Sequence, residues 1–214
     1  MAKNNNMKGF FITYEGIDGS GKTTQIKLLN RYLTEKGFDV VLTREPGGTA
    51  LGDEIRDILL NPKNKGMSAR AETMLFEASR AQLVEKVIRP AIENGKIVIC
   101  DRFFDSTIAY QGAARGLGLK EILDLSLWAT AGLVPDLTFL IAINVEACES
   151  RMKTRLKIPD RIENEKNEFK GKISRGYLDV AEIFKERFEI IDGHMEIDAV
   201  FSIIKQKVEV LLNR

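Results

Sequence analysis

Long hydrophobic runs are absent from this chain of 214 residues. No stretch approaches the roughly 18 consecutive apolar residues that a membrane-spanning helix needs. The apolar segment at residues 10–14 is also shorter than the core of a secretory signal peptide, which is about 7–15 residues. We therefore expect a cytoplasmic protein that does not enter a membrane.

Cysteine and histidine are scarce. The two cysteines, Cys100 and Cys148, form no C-x-x-C pair, and Cys100 ends an apolar run, so we expect a buried thiol rather than a disulfide. The only histidine, His194, follows Asp192-Gly193 and is expected in a loop. The sequence therefore shows no histidine–aspartate or cysteine–histidine arrangement for nucleophilic catalysis.

An excess of positive charge is also missing, because 32 Lys and Arg residues face 31 Asp and Glu residues. This balance argues against a nucleic-acid coat protein or a polybasic membrane binder, since both depend on a strong positive field. The hydrophobic fraction of 44% excludes a disordered or fibrous chain. With no internal repeat and no Pro/Ser-rich linker, residues 1–214 are predicted to form one domain.

Short apolar runs alternate with longer amphipathic stretches along the chain. Apolar runs that are separated by helices indicate an α/β fold in which a mostly parallel sheet is covered on both faces. The predicted strands are residues 10–14, 40–43, 97–100, 137–143 and 188–191. The predicted helices include residues 49–60, 69–93, 105–114, 119–131 and 199–212, besides one that Gly37 ends.

A glycine-rich loop follows the first predicted strand. Residues 16–23 (GIDGSGKT) match the phosphate-loop pattern G-x-x-x-x-G-K-[ST] and lead into a helix, so their backbone N–H groups are expected to surround phosphate oxygens. Lys22 would contact the β- and γ-phosphates and Thr23 would bind Mg²⁺. The predicted ATP-binding residues are Gly16, Ile17, Asp18, Gly19, Ser20, Gly21, Lys22, Thr23 and Thr24.

Asp18 is unusual inside such a loop, because a carboxylate beside a triphosphate is repulsive unless something compensates for it. A nearby metal ion or a sugar hydroxyl that donates to it would explain its presence. An exposed turn aspartate is the plainer alternative.

The phosphate loop alone does not name the reaction, since kinases, switches and motors share it. The chain has no Asn-Lys-x-Asp motif for reading guanine. An ATPase or switch that acts on a macromolecular partner stays open as an alternative.

An acidic and a basic residue end the third predicted strand. Asp101 and Arg102 would lie at the carboxyl edge of the sheet, where ligands bind in open α/β folds. Asp101 is expected to hold Mg²⁺ together with Thr23, and Arg102 to bind a phosphate. A surface ion pair is the alternative interpretation.

A basic stretch lies between the fourth and fifth predicted strands. Its cations are Arg151, Lys153, Arg155, Lys157 and Arg161. They form either a solvated helix face or a mobile flap, within residues 151–172, that closes over phosphates. No catalytic base accompanies them, which favours an acceptor that already carries an anionic nucleophile, such as a nucleoside monophosphate.

Four segments together resemble the bacterial type of thymidylate kinases: residues 14–25 (YEGIDGSGKTTQ), 43–49 (TREPGGT), 101–112 (DRFFDSTIAYQG) and 160–163 (DRIE). The resemblance implies a five-stranded parallel sheet with the fold of phosphate-loop nucleoside monophosphate kinases and a lid within about residues 146–172. It also implies transfer of phosphate from ATP to dTMP with Mg²⁺, in dTTP biosynthesis, by a homodimer without a nucleic-acid or membrane partner. A kinase for dUMP or another deoxynucleoside monophosphate is the alternative within this class.

The same resemblance assigns the acceptor site. Phe76 would stack on thymine and Arg80 would reach a base carbonyl, while Tyr110 would pack against the deoxyribose and exclude a 2′-hydroxyl. Asp18 would accept a hydrogen bond from the sugar 3′-hydroxyl or lie beside the metal. The implied dTMP-binding residues are Asp18, Phe76, Arg80, Arg102, Ser106, Thr107, Tyr110 and Gln111.

Some members of this family carry an arginine inside the phosphate loop, and this chain does not. A catalytic arginine must then come from the lid, where Arg155 is favoured over Arg151. The predicted catalytic residues are Lys22, Arg102, Arg155 and Arg151.

On the helix of Phe76, the side chains of Met74, Leu75, Ala78 and Leu83 are expected to supply the core contacts.

Overall fold

The computed structural model describes residues 9–153 and 160–213. Five strands are present in this part of the chain: β1 (Phe10–Glu15), β2 (Val40–Arg44), β3 (Ile97–Asp101), β4 (Leu137–Ala142) and β5 (Phe188–Asp192). The helices are α1 (Lys22–Glu35), α2 (Ala50–Leu60), α3 (Ala69–Leu83), α4 (Arg89–Glu93), α5 (Phe104–Thr107), α6 (Leu119–Ala129), α7 (Val145–Lys153), α8 (Asn167–Ile183) and α9 (Ile197–Leu212). Two π-helical segments extend α3 and α5, at Val84–Ile88 and Ile108–Ala114.

The strands form one parallel sheet in the order β2-β3-β1-β4-β5. The predicted five-stranded parallel sheet is therefore confirmed, and each predicted strand limit lies within one residue of the observed one. None of the helices among the described residues is both long and apolar enough to span a membrane.

Apolar side chains of the central strands are buried on both faces of the sheet. On one face, Ile12 of β1 and Ile99 of β3 pack with Leu29 of α1 and Ile204 of α9. On the other face, a second cluster joins the sheet to helices that include α5, α6 and α8. This burial on two sides explains why the strands are continuous apolar runs rather than alternating patterns.

Helix α3 differs from its prediction. Met74 is 56% exposed and Ala78 is also exposed, so the expectation that they contact the core is wrong; Leu83 is fully buried. The buried side of α3 is instead largely polar, with Glu72, Thr73, Glu77, Ser79 and Arg80. Each of these side chains makes a hydrogen bond or an ion pair, which offsets the cost of burying it.

The strand order reverses at β1. From β1 the chain moves to β2 on one side of the sheet, and after β3 it moves to β4 on the other side. Connections that leave in opposite directions open a crevice at the carboxyl ends of the strands, where α/β proteins bind ligands. The residues after β1 and β3, which contain the two motifs, lie at this crevice.

Candidate active site

The phosphate loop connects β1 to the first turn of α1. Gly19 and Gly21 have φ angles of +87° and +107°, a region that side-chain-bearing residues rarely adopt, and Gly21 is the N-cap of α1. The ammonium of Lys22 donates to the carbonyl oxygens of Gly16 at 2.8 Å and Ile17 at 3.2 Å. An ammonium has three N–H donors, so these two bonds leave one for a phosphate oxygen.

Lys22 is buried, and burial, with a smaller contribution from the nearby guanidinium of Arg102, lowers its pKa. Thr23 lies in the first turn of α1, and its hydroxyl is 3.5 Å from Oδ2 of Asp101 at the end of β3. The two oxygens predicted to hold Mg²⁺ are therefore adjacent, and hard oxygen ligands suit that ion.

A cavity of about 140 Å³ opens beside the loop. Among the residues predicted to bind ATP, those that line it are Asp18, Gly19, Gly21, Lys22, Thr23 and Thr24. Gly16, Ile17 and Ser20 do not line this cavity. The first two hold Lys22 through their carbonyl groups, and Ser20 is buried.

A second cavity, of about 210 Å³, adjoins the first. Its lining includes all the residues predicted to bind the acceptor: Asp18, Phe76, Arg80, Arg102, Ser106, Thr107, Tyr110 and Gln111. They come from the phosphate loop, from α3 and from the chain that follows β3. The sequence alone joined these distant segments only through the family resemblance.

Phe76 and Arg80 share one face of α3, as their spacing of four residues predicted. The guanidinium of Arg80 is 1% exposed and makes a two-pronged contact with Glu45, with Nη2 2.6 Å and Nε 2.9 Å from Oε2. It also donates to the hydroxyl of Thr107 at 2.9 Å. Arg80 is therefore fixed in direction before any ligand binds, which suits a group that recognises a carbonyl.

Tyr110 and Gln111 lie on the π-helical segment Ile108–Ala114. The ring of Tyr110 is 8% exposed and lies under the guanidinium of Arg102, with 5.4 Å from the ring centre to the Arg102 Cζ. Gln111 donates to the buried carboxylate of Glu72 at 2.8 Å. Both side chains are thus held rigidly in the cavity wall.

Asp18 is compensated by a group that the sequence did not suggest. Its Oδ1 lies 2.8 Å from Nη2 of Arg102, so the carboxylate of the loop and the arginine that follows β3 form an ion pair. The expectation of a metal ion or a sugar hydroxyl beside Asp18 is therefore not needed to explain a carboxylate at this position.

The basic stretch divides into different environments. Arg151 donates to the carbonyl oxygens of Ser20 at 3.3 Å and Gly193 at 3.0 Å, which places it behind the phosphate loop. Arg161 is 7% exposed and donates to Glu72 and to the carbonyl oxygen of Leu59, so it belongs neither to a solvated face nor to an open flap. The sequence did not indicate this pairing, because Glu72 lies 89 residues from Arg161 along the chain. Arg155 and Lys157 lie outside the described residues.

Arg56 is a residue of this site that the sequence analysis missed. It lines both cavities, and its Nη1 donates to the carbonyl oxygen of Pro46 at 2.8 Å. Burial lowers the pKa of Arg56, and repulsion from Arg44 lowers it further. Its position on α2, within an ordinary amphipathic pattern, gave no indication of function. The available clue was that Arg56 follows the TREPGGT segment closely along the chain.

Two carboxylates were also missed: Glu45, which lines both cavities, and Glu15, which lies behind the lining and contacts Ser106. Burial raises the pKa of Glu15 to about 7, with a further contribution from Asp105. Burial likewise raises the pKa of Glu45 to about 7, although Arg80 acts in the opposite direction. Acidic residues with such pKa values cluster at functional sites.

Comparisons of the sequence and of the structure with known proteins all find thymidylate kinases. The family model for thymidylate kinase matches residues 14–204. A thymidylate kinase of an Exiguobacterium species is 50% identical over 194 residues, which are 91% of each chain, and that of Thermosipho melanesiensis is 50% identical over 203 residues, 95% of this chain and 99% of the relative. The crystal structure of thymidylate kinase from Ehrlichia chaffeensis has a TM-score of 0.76 at 36% identity and covers 94% of this chain and 98% of that one. The chain therefore belongs to the thymidylate kinase family.

Proposed function

We propose that the protein transfers the γ-phosphoryl group of ATP to the phosphate of dTMP and so forms ADP and dTDP for dTTP synthesis. The observation that carries this proposal is the junction of the two cavities, which share Asp18, Glu45, Arg56 and Arg102. One cavity adjoins a phosphate loop and the other has an aromatic, arginine-containing wall. Two guanidinium groups thus stand where a donor phosphate would meet an acceptor phosphate.

The transfer needs positioning and charge neutralisation more than proton transfer. The acceptor phosphate is already an anion, so no general base has to activate it. Lys22 would hold the donor phosphates, and Arg56 and Arg102 would hold the acceptor phosphate and the charge that spreads over the transferred group. Their fixed positions in half-buried surroundings strengthen this interaction relative to water.

Mg²⁺ belongs to the proposal as well. Thr23 and Asp101 would hold the ion beside the phosphate loop, because their oxygens are adjacent and of the type that it prefers. When bound, the ion would neutralise charge on the β- and γ-phosphate oxygens.

The acceptor cavity would select a thymine deoxynucleotide. Phe76 would stack on the base, and Arg80, held by Glu45, would donate to a base carbonyl, with Thr107 and Gln111 beside it. Tyr110 would form the wall beside the sugar and leave little room for a 2′-hydroxyl. Ser106 lies in the same lining.

The lid, within about residues 146–172 of a single domain, would close over the phosphates and exclude water. Arg155 is proposed as the lid arginine that approaches the transferred group. Arg151 is the second choice, because it donates to backbone carbonyls of the phosphate loop and of the turn after β5.

A homodimer in the cytoplasm completes the proposal. Helices α2, α3 and α6 pack side by side and expose large apolar side chains. These are Leu51 (49% exposed), Ile58 (47%), Met74 (56%) and Trp128 (81%). Such a group of exposed apolar side chains is typical of a surface that another chain covers.

The test is ADP release from Mg-ATP with dTMP, dUMP, dCMP, dAMP, dGMP and UMP supplied separately. A large response to dTMP, a smaller one to dUMP and none to UMP is expected, and Lys22→Ala should abolish turnover. A preferred response to another deoxynucleotide would indicate a kinase for that acceptor. Slow release that no nucleotide stimulates would indicate an ATPase or switch with a macromolecular partner.

A further inference from the structure

The backbone at Arg102 is held in an unusual conformation. Arg102 has a φ angle of +73°, in the left-handed region that residues with side chains rarely occupy. Hydrogen bonds to residues of β1 fix the backbone at Arg102 and at the residue that follows it. The N–H of Arg102 donates to the carbonyl oxygen of Tyr14 at 3.0 Å, and the N–H of Phe103 donates to Oε1 of Glu15 at 2.8 Å.

The same carboxylate also contacts the groups that hold the head of Arg102. Nη1 of Arg102 donates to the hydroxyl of Tyr177 at 2.7 Å and to the hydroxyl of Ser106 at 3.2 Å. Oε2 of Glu15 lies 2.5 Å from the Ser106 hydroxyl and 3.0 Å from the Tyr177 hydroxyl. Glu15 thus supports Arg102 at its backbone and, through two hydroxyl groups, at its guanidinium.

This cluster is buried, and the fold brings its members together by a close helix contact. Glu15 is 0% and Tyr177 1% exposed. Gly176, beside Tyr177, faces the π-helical segment Ile108–Ala114, where an added Cβ would lie 2.7 Å from the Cβ of Ala113. A glycine at this position lets α8 come near enough for the Tyr177 hydroxyl to reach Arg102.

We propose that Glu15 and Tyr177 are positioning residues for Arg102, which they hold in the direction required to bind the acceptor phosphate. The proposal rests on the role assigned to Arg102 under the proposed function. An arginine side chain has many rotamers, and fixing it before the substrate arrives removes an entropic cost from the transition state. Neither residue lines the acceptor cavity, so neither would touch substrate there.

The test compares two tyrosine variants that each lose one buried hydroxyl. Tyr177→Phe removes the bond to Arg102 and keeps the packed ring. Tyr14→Phe is the matched control, because the Tyr14 hydroxyl is buried without a hydrogen-bond partner among the described residues. Since a hydrogen bond to a charged group is lost, Tyr177→Phe should lower kcat/KM for dTMP about tenfold and leave KM for ATP unchanged. Glu15→Gln should act in the same direction, and Tyr14→Phe should match the unmodified protein.

A double-mutant cycle separates positioning from a general structural role. In an Arg102→Lys background, the further loss caused by Tyr177→Phe should shrink to about twofold or less, because Tyr177 acts through the missing guanidinium. Unchanged kinetics of Tyr177→Phe, or an equal loss in both backgrounds, would overturn the proposal.

A crystal structure of Tyr177→Phe tests the inference without relying on activity. The Arg102 guanidinium should leave its place beside Ser106, and finding it in place would overturn the positioning role. If the unmodified protein phosphorylates no deoxynucleotide, the proposed function fails, and this structural comparison still decides whether Tyr177 positions Arg102.

Discussion

Replacing Glu72 should destabilise the protein strongly, because its carboxylate joins three parts of the chain. It is 1% exposed and accepts hydrogen bonds from Gln111 at 2.8 Å, from Arg115 at 3.2 Å and from Arg161 at 2.5 Å. Burial alone would raise the pKa of Glu72, but the hydrogen bonds from these three side chains outweigh it and lower the pKa.

The size of the effect follows from what Glu72→Ala leaves behind. Arg115 keeps an ion pair with Glu165 at 2.6 Å, but the side chain of Arg161 is only 5% exposed, and Glu72 is its carboxylate partner in the described part of the chain. Removing one partner of a buried ion pair costs about 3–5 kcal/mol, because the other charge stays buried. For a chain of this length, the loss corresponds to a decrease in Tm on the order of 10 °C.

Thermal and urea denaturation measure this cost directly, with Asp124→Ala as the control. Asp124 pairs with Lys120 at 2.5 Å, yet these side chains are 60% and 81% exposed, so its loss should have no measurable effect on stability. Below the melting transition, Glu72→Ala should also raise KM for dTMP, since the Gln111 amide would lose the carboxylate to which it donates. A stability loss for Glu72→Ala as small as that of Asp124→Ala would refute the reasoning.

Three further predictions concern pH, sugar selection and assembly. Because burial raises the pKa of Glu15 and Glu45 from 4.5 to about 7, the folded state holds more protons than the unfolded state between these values. The free energy of unfolding should therefore fall as the pH rises from about 5 to about 7 and level off above it, and Glu15→Gln should reduce that fall in urea titrations; equal falls would contradict this. Tyr110→Ala should narrow the preference for dUMP over UMP while Tyr110→Phe preserves it, and an unchanged ratio in both variants would exclude Tyr110 as the sugar wall. For the proposed homodimer, light scattering should show a dimer for the unmodified protein and a monomer for Trp128→Glu, whereas a dimer mass for both would exclude α6 from the interface.

The sheet and the phosphate loop were predictable because both depend on local sequence. A strand that is buried on both faces is an apolar run, and a loop that wraps phosphate needs glycines at fixed spacing. Gly19 and Gly21 do adopt the positive φ angles that such a loop requires. The placement of Asp101 and Arg102 at the carboxyl edge also followed from the strand that precedes them.

The partners of buried charges were not predictable, since nothing local in the sequence pairs residues that lie far apart along the chain. Arg161 looks like one more cation of a basic stretch until Glu72, from a different helix, is seen beside it. On α3, unseen partners of this kind make the prediction of the buried face wrong. Apolar Met74 is exposed, whereas Arg80 is buried because Glu45 and Glu77 balance its charge. A hydrophobic pattern assigns the inner face of a helix correctly only where that face packs against apolar groups.

The residues of the site differ in whether a sequence motif contains them. The groups that would touch phosphate, such as Lys22 and Arg102, lie in motifs, but the groups that fix their directions are spread over the chain. Arg102 donates to Tyr177 of α8, which lies 75 residues further along the chain, and Glu15 of β1 supports Arg102 through Phe103 and Ser106. In the sequence, Glu15 is only the polar residue that ends an apolar run, and Tyr177 is one aromatic residue of a helix, although both side chains are buried in the fold. The geometry of the site therefore depends on the complete fold. Substituting a residue that does not contact phosphate should still weaken the reaction if that residue fixes the orientation of Arg102.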